Sequence, residues 1–186
     1  MKKLHFLAAA IPALFFFACK SADPSKAPVT LNGMIYDTQN RPVVNYTICV
    51  DGEYKCQSDI SGRFVLKDIQ KGEHVITGSG YSYLDINENA VIYDKVQILY
   101  IRVPSVESKL KEAFSYLEED LFEKAEESIG EILLSDEDNT DALFFMCVVK
   151  LRQGKREESL DYLEKLKEKK EGSKYVTELE KIIIEK

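Results

Sequence analysis

The chain has 186 residues, with 25 Lys and Arg against 32 Asp and Glu, for a formal charge of −7. An acidic chain without a basic stripe is not built to bind nucleic acid, and this length holds one ordinary domain or two small ones. Ten Tyr without any Trp argue against a stacked aromatic platform for sugars.

The first predicted element is a leader. Lys2 and Lys3 precede an apolar run from Leu4 to Ala18, shorter than the about 20 residues that a spanning helix needs. A basic start, an apolar middle and a small residue before a cut are the marks of a signal peptide over residues 1–18. Cys19 follows at once, and "FFFACK" resembles the lipobox of bacterial lipoproteins, with Phe16 and Phe17 where Leu and a small residue are usual. The resemblance implies lipidation of Cys19, by palmitate and related chains, and a lipid-anchored place on a membrane of the bacterial cell envelope, facing the periplasm or the exterior. Three acyl chains would hold the protein indefinitely, since each buried methylene adds about 0.8 kcal/mol. The competing reading is a secreted protein with an incidental cysteine at the cut. Residues 19–28 mix Ser, Ala, Pro and charge without periodicity, which predicts a lipidated flexible tether.

From Val29 to Pro104 the pattern is short β. The segments "VTLNGMIYD", "VVNYTICVD", "YKCQSD", "GRFVLKD", "EHVITGSGY" and "NAVIYDKVQILYIRVP" are rich in Val, Ile, Tyr and Thr and are separated by turn residues. Six or seven such strands predict an antiparallel β-sandwich. The last segment alternates Val96, Ile98, Tyr100 and Arg102 with Gln97, Leu99, Ile101 and Val103, a two-sided strand expected to be covered on both faces. In "SDISGRF", Asp59 is placed to accept backbone N–H groups of a structural turn, Gly62 to take the left-handed dihedral and Phe64 to enter the core.

The order Gly33, Asp37, Pro42, Val43, Asp59, Gly62, Phe64, Leu66, Ile69, Gly72 and Tyr81 resembles the carboxypeptidase regulatory-like domain, a transthyretin-like sandwich. The resemblance spans residues 29–104 and implies an accessory module without catalytic residues of its own. The stretch after Tyr81, "SYLDINENAVIYDKV", departs from that pattern and reads as a binding loop or an exposed excursion.

Cys49 and Cys56 bracket "VDGEYK". A two-residue turn at Gly52 and Glu53 would set them opposite one another and permit a disulfide; a turn at Asp51 and Gly52 would put them out of register. Two cysteines with a remote His74 do not make a metal site, and no metal or other cofactor is expected.

After Pro104 the apolar period changes to three and four. Phe122-Glu-Lys-Ala125 aligns with Arg156-Glu-Glu-Ser159, Ile129 with Leu163, Ile132 with Leu166, Ala113 with Cys147 and Asp120 with Gly154, all at an offset of 34 residues. That period resembles the tetratricopeptide repeat (TPR) in degenerate form; an ordinary antiparallel bundle is the alternative. Helices are predicted at 105–119, 121–134, 139–152, 155–170 and 173–185, the last as a cap. Two repeats and a cap fall below the three or so units that such arrays need, so their apolar side calls for a cover: the β-domain, a second copy of the chain or a partner's segment. Cys147 reads as an inert core residue.

The predicted architecture is therefore α+β in two domains, with the sandwich at 29–104 and TPR-like helical hairpins at 105–186. Neither a G-x-S-x-G nor an H-E-x-x-H motif occurs, and His74, in a predicted strand without a nucleophile motif nearby, reads as an exposed strand residue, so no catalytic residue is assigned. The expectation is a non-catalytic, membrane-anchored adaptor whose helices bind another envelope protein, with no residue of the binding face singled out and a homo-oligomer left open. A carbohydrate- or peptide-binding module using the sandwich loops, particularly Tyr81 to Asp94, is the other reading, and a purely structural envelope part the third.

Overall fold

A computed structural model describes residues 27–170 and 172–185. The leader and the lipidation call at Cys19 lie outside them. Seven strands, β1 (Val29–Asp37), β2 (Thr47–Val50), β3 (Tyr54–Gln57), β4 (Arg63–Ile69), β5 (Gly72–Gly80), β6 (Tyr83–Ile92) and β7 (Ile98–Val103), are followed by five helices. These are α1 (Val106–Glu118), α2 (Phe122–Ser135), α3 (Thr140–Arg152), α4 (Arg156–Lys169) and α5 (Lys174–Glu185).

The strands form two sheets, β4-β1-β7 and β3-β2-β5-β6. Alternating side chains from both, among them Leu31, Ile35, Ile48, Phe64, Ile76 and Ile101, fill the core between them. The sandwich is not wholly antiparallel, because β7 runs parallel to β1 with Val103 opposite Asp37. That direction brings the chain out beside Asp37 and delivers Ser105, whose side chain caps α1 by accepting from the N–H of Ser108.

Two sequence-based expectations change here. The segment from Asn89 to Pro104 is two strands rather than one. Asp94 breaks it: its Oδ1 accepts from Val96 N at 3.4 Å, and its carbonyl accepts from Gln97 N at 3.3 Å. The stretch after Tyr81 is no loop either, since Tyr83–Ile92 pairs along β5 from Gly72↔Ile92 to Gly80↔Tyr83. Its backbone groups are spent on a ladder, so the stretch that the carbohydrate- or peptide-binding reading favoured is a strand.

One turn device appears twice. In "DTQNR", Asp37 Oδ1 accepts from the N–H groups of Gln39 and Arg41 at 2.8 and 2.9 Å, with Asn40 at φ 62°. In "DISGR", Asp59 Oδ1 accepts from those of Ser61 and Arg63 at 2.8 and 2.9 Å, with Gly62 at φ 74°. Hydrogen bonds from the N–H groups of Arg63 and Ser61 hold the Asp59 carboxyl below its usual range. Burial pushes the Asp37 carboxyl up, but donation from the Arg41 N–H, the Arg41 guanidinium and the Gln39 N–H outweighs it, and the net shift is downward. Gly62 serves a second need. A side chain there would press on the Ile35 carbonyl, 2.4 Å from where its Cβ would sit.

The two halves meet at β6. Leu84 is buried with Ala113, Leu117, Ile129 and Ile132 of the first helix pair. Tyr46, fully buried, donates its hydroxyl to the Leu84 carbonyl at 2.8 Å, and Leu84 N donates to the Pro104 carbonyl at 3.0 Å. The β half thus covers the open side of the first repeat, and α5 covers the other end through Val176, Leu179 and Ile183, packed with Leu143, Leu163 and Leu166.

Candidate functional site: the exposed face of the helical array

The helices keep a strict period. First helices start at 106, 140 and 174 and second helices at 122 and 156, so 140 − 106, 174 − 140 and 156 − 122 all equal 34. Small residues let neighbouring helices approach: Ala113 and Cys147 are fully buried at one equivalent position, Ala125 and Ser159 at another. At the second pair, Ser159 Oγ donates to the Cys147 carbonyl at 2.8 Å. Burial raises the Cys147 thiol above its usual value, which disfavours the reactive thiolate. The two helix-pair turns match as well, with Asp120 at φ 58° and Gly154 at φ 76°.

Ion pairs tie adjacent helices together. Lys109 Nζ lies 2.9 Å from Glu131 of α2, Arg152 pairs with Asp120 across the repeat, and Lys167 of α4 pairs with Glu180 of α5. Lys150 is the deepest of these cations, with its side chain 6 % exposed, and sits 2.6 Å from both Glu126 and Glu158. Burial alone would lower the Lys150 ammonium, but hydrogen bonds to the two carboxylates raise it, while hydrogen bonds from Lys150 and Gln153 hold Glu126 low against its own burial.

What remains open is the side that the first helices present. Residues at i, i+3 and i+7 share one helix face, and three such sets recur at the repeat interval: Glu107, Leu110 and Phe114 on α1; Asp141, Phe144 and Val148 on α3; Tyr175, Glu178 and Ile182 on α5. Equivalent positions line up along a repeat array, so the nine form a grid of six apolar side chains and three carboxylates without a cation. Phe114, Tyr175 and Ile182 are 51, 43 and 48 % exposed, large values for apolar side chains. The grid is ordered from within: the Phe144 and Tyr175 rings meet edge to face at 5.8 Å.

The other sequence-singled residues lie elsewhere. Ile48 pairs with Cys56 and Cys49 with Lys55, because three residues, Asp51 to Glu53, connect β2 and β3. Cys56 packs on the sandwich core, whereas Cys49 faces a groove of about 600 Å³ between the sheet and the end of α2, lined also by Thr77, Ile86, Leu134 and Ser135. Both thiols are free. His74 is not the exposed strand residue expected from sequence. It is buried, with Nδ1 2.6 Å from Asp51 Oδ2 and Nε2 2.7 Å from the Gln70 carbonyl. Among the described residues no cluster of three His, Cys, Asp or Glu side chains is arranged to hold a metal, and no helix is long and apolar enough to cross a membrane. Sequence reasoning missed the grid although the signal was present, since the 34-residue comb carries Phe114 onto Val148 and Ile182.

Paired helices at this interval, joined by buried small residues and capped at each end, define a TPR-like helical-repeat protein. Residues 82–183 match the coatomer epsilon subunit family. The match takes in β6, β7 and all five helices, and the chain belongs to that family. This corrects the resemblance drawn from sequence to a bacterial lipoprotein with a carboxypeptidase regulatory-like domain and appended repeats: the family is that of the helical array, and the Asp, Gly and Phe spacings of the β half are turn and packing chemistry. No curated protein matches the sequence.

Among solved structures, a cohesin–X–dockerin complex from Acetivibrio cellulolyticus is similar at 19 % identity over 40 % of this chain and 56 % of that one, with a TM-score of 0.35. The TIE protein of Bacillus anthracis is similar at 12 % identity over 43 % of this chain and 17 % of that one, with a TM-score of 0.38. Catechol 1,2-dioxygenase from Pseudomonas arvilla C-1 is similar at 10 % identity over 48 and 55 %, with a TM-score of 0.36. This chain spans little more than half the length of the first of these, and scores so low carry no argument about function.

Proposed function

We propose that the protein is a non-catalytic interaction or scaffold protein that holds a partner polypeptide against the grid on α1, α3 and α5. The observation that carries this reading is the exposure of Phe114, Tyr175 and Ile182 at repeat-equivalent helices. Apolar surface left in water forgoes about 25 cal/mol per Å², and contiguous patches of it mark binding sites on folded proteins. Membership of a family described as a coat-complex subunit supports an assembly role. The β half serves as a brace, since Leu84 closes the open side of the first helix pair. Interaction through repeat helices calls for apolar anchors within a polar rim, and one carboxylate per helix provides the rim.

The test replaces Phe114 and Ile182 together by Asp and follows co-purification of the protein's partners from its own cells. Both positions are about half exposed, so the fold should persist. Partners that copurify with the wild type are lost from the variant on this reading; unchanged partners at unchanged unfolding temperature contradict it.

A further inference from the structure

The outer face of β4-β1-β7 is the counterpart of the helical grid. Arg63, Val65 and Lys67 alternate with buried Phe64 and Leu66 on β4, and Ile98, Tyr100 and Arg102 alternate with buried Ile101 and Val103 on β7. Asn32, Met34 and Tyr36 of β1 run between them, with Asn32 opposite both Val65 and Ile98, and Met34 opposite both Arg63 and Tyr100. The sequence pattern led us to expect β7 to be covered on both sides, yet Tyr100 is 66 % and Val65 51 % exposed. None of the three cations of this face forms a salt bridge among the described residues. Across the β4 turn, Asp59 accepts from the N–H groups of Ser61 and Arg63 and meets the Arg63 guanidinium by charge alone, without a salt bridge.

One face of the molecule therefore offers three cations outside any salt bridge around apolar and aromatic side chains, with exposed Asp68 as the acid at its β4 end. The other offers three carboxylates around apolar side chains, with Lys111 beside Glu107 as its cation. Of those carboxylates Asp141 and Glu178 form no salt bridge among the described residues, and Glu107 pairs only with exposed Lys111. Complementary potentials with matched apolar centres orient association and raise its rate. Both faces lie on one chain, so each can be answered by a second copy. The segment from residue 105 onward carries 14 cations against 22 acids, a balance of 14 − 22 = −8, which favours a basic surface as its ligand. A long polyanion would be repelled by the −7 body.

We propose that the basic outer face of β4-β1-β7 docks on the acidic helical grid of a second copy of this chain, head to tail. The contact is heterologous: it leaves one free face of each kind at the ends and grows into a ring or filament unless one face is blocked. It rests on the reading that the grid binds protein and names the ligand.

Sedimentation velocity of the full chain tests it. The wild type should associate with rising concentration at about 50 mM salt and dissociate at about 500 mM, where exposed charges are screened beyond about 4 Å. Arg63→Glu with Arg102→Glu, and separately Asp141→Lys with Glu178→Lys, should each weaken association at least about tenfold. All four residues are exposed, and unfolding midpoints near that of the wild type would show that both variants fold. Mixed one to one, the two variants should regain association as alternating copies, because the reversed sheet face of one matches the reversed grid of the other and their unaltered faces match as well. A wild type that stays monomeric, or association that survives both reversals, overturns the proposal. If the wild type is monomeric while the Phe114/Ile182 substitutions still strip a different protein from it, the second copy falls and the interaction reading stands; if neither effect is seen, both fall.

Discussion

Asp51 does three jobs at the β2–β3 turn. It adopts φ 52°, accepts from Val75 N at 2.9 Å through Oδ1 and holds His74 through Oδ2. The hydrogen bond from His74, followed by that from the Val75 N–H, keeps its carboxyl below the usual range. A carboxyl whose folded pKa is depressed contributes stability that is fully present above its unfolded value, about 3.9, and is lost as pH falls through the folded value. Asp51→Asn should therefore lower the unfolding temperature at neutral pH and flatten its fall below about pH 4, as read by thermal scans between pH 3 and 7. An unchanged acid limb would show that the pair contributes nothing to stability.

Gly33 is a second single-residue constraint. It lies opposite Phe64 in the β1–β4 ladder, and a Cβ there would sit 2.0 Å from the ring. Gly33→Ala should cost about 1–3 kcal/mol by overpacking, and Phe64→Leu in the same chain should recover part of that loss by making room. The cycle is read by urea unfolding; additive losses would contradict the contact. Gly33 and Phe64 were both legible in the sequence as fixed points of a pattern. What that pattern meant was not, because a glycine accommodating an aromatic ring 31 residues away is a pairing that no local signal reveals.

At the scale of elements, Lys150 joins three helices. The 34-residue register places it where the first repeat has Tyr116, so a cation with two carboxylate partners stands in for an aromatic. Its partners keep contact with water, at 34 and 49 % exposed, but Lys150 does not. Removing the partners should therefore be worse than removing the cation. Glu126→Gln with Glu158→Gln leaves a buried unpaired charge and should cost about 2–3 kcal/mol, whereas Lys150→Met, of similar length and apolar, should change stability by about 1 kcal/mol or less. Equal losses in chemical denaturation would contradict this asymmetry.

The helices were legible almost to the residue because their period is local and repeated: the helix predicted at 139–152 is observed at Thr140–Arg152. The sheets were less so. "VTLNGMIYD" stands as predicted, but the split of the last strand depends on the Asp94 turn, and the parallel β1–β7 pairing brings together residues more than 60 positions apart. The three-residue connection between β2 and β3 likewise decided the register that sets Cys49 and Cys56 apart.

Across the whole molecule, one joint couples the halves. Leu84 is buried among α1 and α2 while its carbonyl takes the Tyr46 hydroxyl from the sandwich core. The short array is thereby closed at its first repeat by β6 and at its last by α5, and the side left open is the grid. An array so capped needs no partner to fold, so any partner on the grid is gained for function.

The most direct test of this account places a photo-crosslinking side chain at Val148, in the middle of the grid, and in a second variant at Glu164, on the exposed side of α4, with both illuminated in living cells. A discrete protein adduct is expected from position 148 that vanishes when Phe114 and Ile182 are also replaced by Asp, and none from position 164. Equal labelling at both positions, or no adduct at 148 from a folded and abundant protein, would contradict it.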